Sequence, residues 1–196
     1  MIKDISDRQL EIIEASGKIL MEKGIMGLTT KNLAVEMGFS ESALYRHFKN
    51  KDAIILLLIQ FLCDNVTQRF EKILKSDLEI DEKFMALFSS HFSFFGKNPH
   101  FSVIMLSEGV IDVSDEIKNY IIKLINLNIG SIATVVREGQ EKRFFTKSIP
   151  TDDIVHFAAG AFRFEMLKWK MSGYTFDLEQ EGNRMMKALL KLISTD

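Results

Sequence analysis

The sequence is poor in cysteine, proline and net charge. A single cysteine, Cys63, among 196 residues excludes an internal disulfide framework, and two prolines favour long uninterrupted helices. A net charge of −2 excludes a uniformly basic protein that coats nucleic acid. The longest apolar run, residues 53–62, is broken by Gln60 and is too short to span a bilayer, and the N-terminal residues show no apolar signal segment. We therefore expect a soluble cytoplasmic protein.

Sequence signs of catalysis, metal binding and cofactors are also lacking. The four histidines are scattered and show no metal-ligand spacing: His47, His91, His100 and His156. No phosphate-binding loop or dinucleotide fingerprint occurs, and Cys63 lies in an apolar stretch typical of a protein core. The sequence therefore argues against an enzyme and predicts no metal and no cofactor.

The spacing of apolar residues and caps predicts an all-α protein of about nine helices. The first is expected over residues 7–23, ending at Gly24, and the second runs from Thr29 or Thr30 to about residue 37. The others are predicted over residues 41–47, 51–75, 81–96, 100–107, 114–139, 151–172 and 177–194. No strand-length alternating segment and no internal repeat stands out.

Residues 27–51 carry the clearest functional signal. They fit two short helices joined by a tight turn at Gly38, which can adopt the positive φ that such a turn requires. The second of these helices, which we call the recognition helix, directs Leu44 and Phe48 inward and polar or basic side chains outward. This is the layout of a helix-turn-helix, whose second helix enters the DNA major groove.

The outward side chains of the recognition helix match the chemistry of DNA. Arginine binds guanine, serine bonds several base edges, glutamate accepts from cytosine, and alanine contacts the thymine methyl group, as expected for Arg46, Ser42, Glu41 and Ala43. Donors to phosphate oxygens are Tyr45, His47 and Lys51. Residues 1–51 carry a net charge of only +1, so the positive charge that binds phosphate has to be local.

This stretch strongly resembles the TetR/AcrR family of transcriptional regulators. The resemblance rests on Leu28-Thr29-Thr30, Leu33-Ala34, Gly38, Leu44-Tyr45, His47-Phe48 and Lys51. It implies that Thr30, Lys31, Tyr45, His47 and Lys51 hold the DNA backbone, and that Ser42, Ala43 and Arg46, with Glu41 as the weakest match, meet base edges. It also implies an N-terminal three-helix DNA-binding domain over residues 1–50 and a larger helical effector-binding and dimerisation domain over residues 51–196.

The middle of the chain is rich in phenylalanine, with 16 in the whole sequence. A closed helical core explains this loading, and so does an apolar pocket for a small hydrophobic effector of the kind that the resemblance implies. Both alternatives stay open from the sequence. The predicted ligand-binding residues are Phe61, Phe88, His91, Phe92, Met105, Leu124 and Asn128.

The last two helices are expected to form a dimer face, because small residues at 158–161 allow a partner helix to approach closely. Burial of these residues within one chain is the alternative. One helix-turn-helix reads only a half-site, so a palindromic operator needs a homodimer. The predicted interface residues are Phe157, Ala158, Ala161, Phe162, Met185 and Leu189.

These observations predict a ligand-responsive regulator, most often a repressor in the family it resembles, that binds double-stranded DNA as a homodimer. The alternative is a helical adaptor that keeps the same fold but acts through protein contacts. Affinity for duplex DNA that barely changes with salt would favour the adaptor, because phosphate contacts release counterions.

Overall fold

The structure is a computed structural model that describes residues 6–46, 48–107, 110 and 114–195. Within these ranges the regular secondary structure consists of α-helices and one isolated β-bridge between Phe145 and Ser194. The nine described helices are α1 (Asp7–Gly27), α2 (Thr30–Glu36), α3 (Glu41–Tyr45), α4 (Lys51–Leu74), α5 (Ile80–Lys97), α6 (His100–Met105), α7 (Asp115–Glu141), α8 (Thr151–Met171) and α9 (Leu178–Ile193). The predicted all-α fold and its helix order are confirmed.

The ends of the helices follow local capping chemistry. The Ser6 side chain accepts from the backbone N–H of Gln9, and the Gln9 side chain accepts from the N–H of Ser6, which forms a capping box at the start of α1. The predicted end of α1 at Gly24 is only partly right. Gly24 leaves helical geometry, with φ of 63°, but the helix resumes for another turn to Gly27. Hence Gly24 introduces a kink rather than a stop.

The chain divides into two compact units. The first contains residues 1–65 and 98–123, and the second contains residues 66–97 and 124–196. This division differs from the boundary after residue 50 that we predicted for the functional domains. The difference arises because α4 and α7 are each one continuous helix that contributes residues to both units.

In the first unit, α1, α2 and α3 surround a small apolar core. Leu28, Leu33 and Leu44 are essentially inaccessible to solvent, and Leu20 on α1 is equally buried. Helix α6 packs against α1, where Gly17 permits a close approach. A β-carbon at Gly17 would lie 3.0–3.2 Å from ring atoms of His100. The absence of a side chain at position 17 therefore allows α6 to rest on α1.

In the second unit, α5 packs against α9, and α9 against α8. The apolar face of α5 is buried, with Phe84 and Phe92 fully inaccessible. A β-carbon at Gly182 on α9 would lie 2.6 Å from three atoms of the Phe92 ring, so α9 needs a glycine there. The phenylalanines of α5 thus serve as core residues in this unit.

Two of the helices are both long and apolar. Helices α4 and α7, of 24 and 27 residues, each reach a mean hydropathy of 1.3 over an 18-residue window and are long enough to cross a membrane by composition alone. Core helices of soluble proteins can be equally long and equally apolar. In α4, Ile54, Leu58, Leu62 and Val66 are buried within the protein, as expected for a core helix.

Candidate DNA interface and effector site

The turn between α2 and α3 sets the position of the recognition helix. Gly38 has φ of 67°, and the N–H of Phe39 donates to the carbonyl of Ala34 at 2.8 Å, which terminates α2. The Ser40 hydroxyl then accepts from the N–H of Ala43 at 3.2 Å and caps α3. These bonds fix the entry and exit of the turn predicted at Gly38.

Helix α3 presents one polar face to solvent. Glu41, Ser42, Tyr45 and Arg46 are exposed, and Ala43 is half-buried. On the opposite side, Leu44 and Phe48 are buried in the core of the first unit. Four of the predicted base-contacting and phosphate-contacting side chains therefore lie on a single accessible surface, while His47 lies outside the described residues.

Two hydrogen bonds modify the roles predicted for this surface. Thr30 is buried, and its hydroxyl lies 3.3 Å from the phenol oxygen of Tyr45, to which it donates. The Ser42 hydroxyl lies 3.1 Å from that of Ser40, the capping residue. Thr30 thus orients Tyr45 from below, and Ser42 is held near the N-terminus of α3. No sequence pattern indicates the Thr30–Tyr45 bond, because the two residues are 15 positions apart.

The lysines around the helix-turn-helix are accessible. Lys31 and Lys49 are exposed, and Lys51 is half-buried at the first position of α4. Asn50 caps α4 by accepting from the N–H of Ala53 at 3.0 Å, as the sequence predicts. Lys51 therefore stands where the backbone amides of a long helix begin, a position that favours an anion.

The predicted ligand-binding residues fall in both units. Phe61 and Met105 belong to the first unit, where Phe61 stacks on Phe101 with ring centroids 5.6 Å apart. The other five belong to the second unit, namely Phe88, His91, Phe92, Leu124 and Asn128. The Nε2 atom of His91 lies 2.5 Å from Oδ1 of Asn128, and the Asn128 amide nitrogen donates to the carbonyl of Leu124 at 2.7 Å.

His91 is the most perturbed ionisable group of the second unit. Burial, together with the nearby Arg69 guanidinium, lowers the pKa of His91 to about 3, although the hydrogen bond with Asn128 opposes the shift. The histidine is therefore neutral at physiological pH. Its Nδ1 atom is buried and has no hydrogen-bond partner among the described residues.

Two residues near His91 were missed from the sequence. Arg69 on α4 donates from Nη1 to the carbonyl and hydroxyl oxygens of Ser90, at 2.6 and 2.9 Å, and burial lowers its pKa to about 10. Phe162 on α8 was predicted at the dimer face, yet its ring contacts four aromatic rings of α5, which are Phe88, His91, Phe92 and Phe95. The sequence feature that could have revealed Arg69 is the presence of an arginine within the largely apolar helix α4.

Two known protein families match this chain. The family described as bacterial regulatory proteins, tetR family, matches residues 12–58, and the family described as YsiA-like protein, C-terminal region, matches residues 61–192. The chain belongs to the TetR family of bacterial regulatory proteins. The resemblance stated for residues 27–51 is confirmed, and the second match covers the C-terminal region to residue 192.

Relatives of this TetR-family chain include nucleoid occlusion factors. The chain is 28% identical over 151 residues to SlmA of Photobacterium profundum, covering 76% of each protein. It is 30% identical over 133 residues to SlmA of Pectobacterium carotovorum, covering 67% of each.

Solved structures share the fold of this TetR-family chain at low sequence identity. The fatty acid degradation regulator FadR of Bacillus halodurans superposes with a TM-score of 0.83 at 19% identity, covering 96% of this chain and 97% of that one. FadR of Bacillus subtilis in complex with stearoyl-CoA gives 0.80 at 20% identity, covering 94% and 98%. At these identities the likeness establishes the fold. These neighbours are transcriptional regulators rather than enzymes.

The residues predicted at the dimer face of this TetR-family protein lie on α8 and α9. Phe157 is 53% exposed, Ala161, Met185 and Leu189 are half-buried, and Ala158 is fully buried. Ala158 therefore has no surface for a partner, because its methyl group packs within its own chain. Further exposed apolar residues on these two helices are Phe164, Leu167, Met171 and Leu192.

The spacing of these exposed residues is regular. Phe157, Phe164 and Met171 are 53%, 63% and 79% exposed and are seven residues apart, so they lie along one side of α8. We call these three residues the α8 apolar stripe. On α9, Met185 and the 75% exposed Leu192 are also seven apart.

Proposed function

We propose that the chain is a ligand-responsive transcriptional repressor that binds a palindromic operator as a homodimer and is released by a small hydrophobic effector. The observation that carries this proposal is the accessible face of α3, where Ser42, Tyr45 and Arg46 are exposed above a buried Leu44. Membership of the TetR family gives this face its expected partner, double-stranded DNA. We assign the protein to the cytoplasm and assign it no catalytic role.

Base reading is assigned to Ser42, Ala43 and Arg46, with Glu41 as a partner of cytosine. Arginine at the exposed end of α3 has the reach and the bidentate geometry that guanine requires. Backbone contacts are assigned to Lys31, Tyr45, His47 and Lys51. Within this scheme Thr30 acts as a positioning residue, because its hydroxyl donates to the Tyr45 phenol instead of facing solvent.

Dimerisation is assigned to α8 and α9. The α8 apolar stripe exposes large side chains on one side of a helix, and an isolated chain gains nothing from that exposure. A two-fold axis through this stripe brings the same residues of both protomers together, as an isologous interface requires. Phe157, Ala161, Met185 and Leu189 remain in the proposed interface, and Ala158 does not.

Release from DNA is assigned to effector binding in the predicted effector-binding domain, residues 51–196. We infer that the effector changes the tilt of α4, which is one continuous helix from Lys51 to Leu74 and begins directly after the helix-turn-helix. Paired recognition helices fit successive major grooves only at a separation of about 34 Å. A ligand shifts this equilibrium only by its difference in affinity for the two states.

The proposal is tested by selecting bound sequences from random duplex DNA with the purified full-length protein. We expect an inverted repeat whose half-site centres lie about one helical turn, or a multiple of it, apart. An enriched sequence without two-fold symmetry would contradict the homodimer. Absence of any enriched sequence, with affinity that barely changes with salt, would favour the adaptor function instead.

Single variants separate base reading from backbone contact. Arg46→Ala should relax preference at one base pair by about 1–3 kcal/mol, whereas Lys51→Ala should weaken all duplexes alike and reduce the salt dependence by about one phosphate contact. Lys147→Ala removes an exposed lysine outside the DNA-binding helices and serves as the charge-matched control. Equal loss of affinity for all sequences in Arg46→Ala would show that Arg46 reads no base.

A further inference from the structure

The hydrogen bonds of Asn128 fix the tautomer of His91. The Asn128 amide nitrogen donates to the carbonyl of Leu124, so its Oδ1 atom faces His91 as an acceptor. At 2.5 Å from that oxygen, Nε2 of His91 must carry the proton and donate it. The other ring nitrogen, Nδ1, is then a bare acceptor.

That acceptor is buried without a hydrogen-bond partner among the residues that the structure describes. An unpaired buried polar atom costs about 1–3 kcal/mol, so such atoms are few and often belong to functional sites. Nδ1 also makes no hydrogen bond to the neighbouring cation Arg69, whose Nη1 donates to Ser90. Nδ1 of His91 is therefore available to a donor from a ligand.

The surroundings of His91 suit an apolar ligand with one polar group. The rings of Phe70, Phe162 and Phe95 lie with centroids 4.8, 5.1 and 6.1 Å from the imidazole. Phe162 and Asn128, which contact His91 directly, are themselves only half-buried. The imidazole itself is buried, and a ligand reaches it only if the half-buried Phe162 ring moves aside.

We propose that His91, positioned by Asn128, is the polar recognition point of the effector site and selects an apolar molecule that carries one uncharged hydroxyl group. This inference rests on the proposed function in one respect, that the larger domain binds a small effector. A hydroxyl donates to Nδ1 and leaves its carbon skeleton among the phenylalanine rings. A carboxylate has no hydrogen to donate to Nδ1, so its only attraction in this region is the Arg69 guanidinium.

Three matched probes test the selection: para-octylphenol, its methyl ether para-octylanisole, and para-octylbenzoate. Binding of each to the DNA-free protein is measured by calorimetry. We expect the phenol to bind about tenfold more tightly than the ether, as one additional hydrogen bond provides. Equal affinity for phenol and ether would overturn the proposal, and so would tightest binding of the benzoate or no binding of any probe.

Variants identify the atom responsible. His91→Phe should lower affinity for the phenol to that of the ether while the ether still binds, because the added ring keeps the aromatic packing. Asn128→Leu should also reduce the ratio of phenol to ether affinity. Without the Asn128 acceptor the His91 proton is no longer held on Nε2, so Nδ1 is an acceptor in only one of the two tautomers. His156→Phe, which changes an exposed histidine of α8, should leave the ratio unchanged. A tenfold preference that persists in His91→Phe would overturn the proposal.

Selection of operator DNA is measured separately, so the two failures are distinguishable. A protein that selects an inverted repeat but shows no preference for the phenol refutes only the recognition point. A protein that prefers the phenol but selects no DNA refutes the repressor function and leaves the site intact. Phe162→Ala gives an independent check. Because this variant removes the ring that covers His91, Nδ1 becomes more accessible, and the affinity for para-octylphenol should increase.

Discussion

Acidification should destabilise the folded protein through His91. Burial and the Arg69 guanidinium lower the pKa of this histidine from 6.5 to about 3. The unfolded chain therefore takes up a proton before the folded protein does, and protonation favours unfolding. The stability associated with neutral His91 is fully present above pH 6.5 and is lost progressively as the pH falls toward 3.

The size of this effect follows from the two pKa values. Each unit of difference corresponds to about 1.4 kcal/mol, so lowering the pH from 7 to 5 should reduce the free energy of unfolding by about 2 kcal/mol through His91 alone. At pH 3 the loss should reach about 4 kcal/mol. His100, whose pKa is also lowered by burial, acts in the same direction and has to be separated by mutation.

Urea denaturation at pH 7 and pH 5 measures the effect. The wild type is compared with His91→Phe and with the surface control His156→Phe. Carboxylates and His100 titrate alike in all three proteins, so their contributions cancel in the comparison. His91→Phe should lose about 2 kcal/mol less than the wild type between the two pH values. Equal losses in wild type and His91→Phe would refute the assignment of a neutral buried histidine.

Three further predictions concern packing and assembly. Gly182→Ala places a methyl group 2.6 Å from the Phe92 ring and should lower the free energy of unfolding by about 1–3 kcal/mol. Gly130 in α7 has open space around it, so Gly130→Ala should instead raise the free energy of unfolding by up to about 1 kcal/mol. Urea denaturation measures both changes. Gly17→Val should destabilise the protein by forcing the His100 ring from α1, and His100→Ala should restore part of the loss in the double variant; simple additivity would refute the contact. Phe164→Lys should shift the protein toward monomer in sedimentation experiments, while Phe144→Lys, at an exposed phenylalanine outside α8 and α9, should not; a dimer that survives Phe164→Lys contradicts the proposed interface.

Helix positions were predictable because their caps are local. Ser40 and Asn50 each cap the helix that follows them, and both bonds span three residues. The one clear error at a helix end, at Gly24, has a physical reason. A glycine with positive φ interrupts the helical hydrogen bonds but does not prevent the next residues from resuming them, and the sequence gives no measure of which occurs.

The side of the recognition helix that faces solvent was also predictable, because Leu44 and Phe48 are one helical turn apart and both apolar. Interactions between distant residues were not. The bond from Thr30 to Tyr45, and the pairing of His91 with Asn128 across 37 positions, depend on how helices cross in space. Periodicity within one helix carries no information about such partners. The same limit left the choice between closed core and effector pocket open from the sequence.

Helix α8 shows a contact of Phe162 that composition did not indicate. Small residues around it suggested the close approach of a partner helix, whereas the Phe162 ring contacts the rings of Phe92 and Phe95 on α5. Phe164, two positions later, lies on the opposite side of the helix and is exposed in the α8 apolar stripe. One helix therefore carries both the ring that covers His91 and the surface proposed to pair two protomers. Because protein interiors are close-packed, a ligand that displaces Phe162 must strain or shift this helix. Under the proposed function, effector binding and pairing of the recognition helices would therefore be linked through α8 as well as through α4.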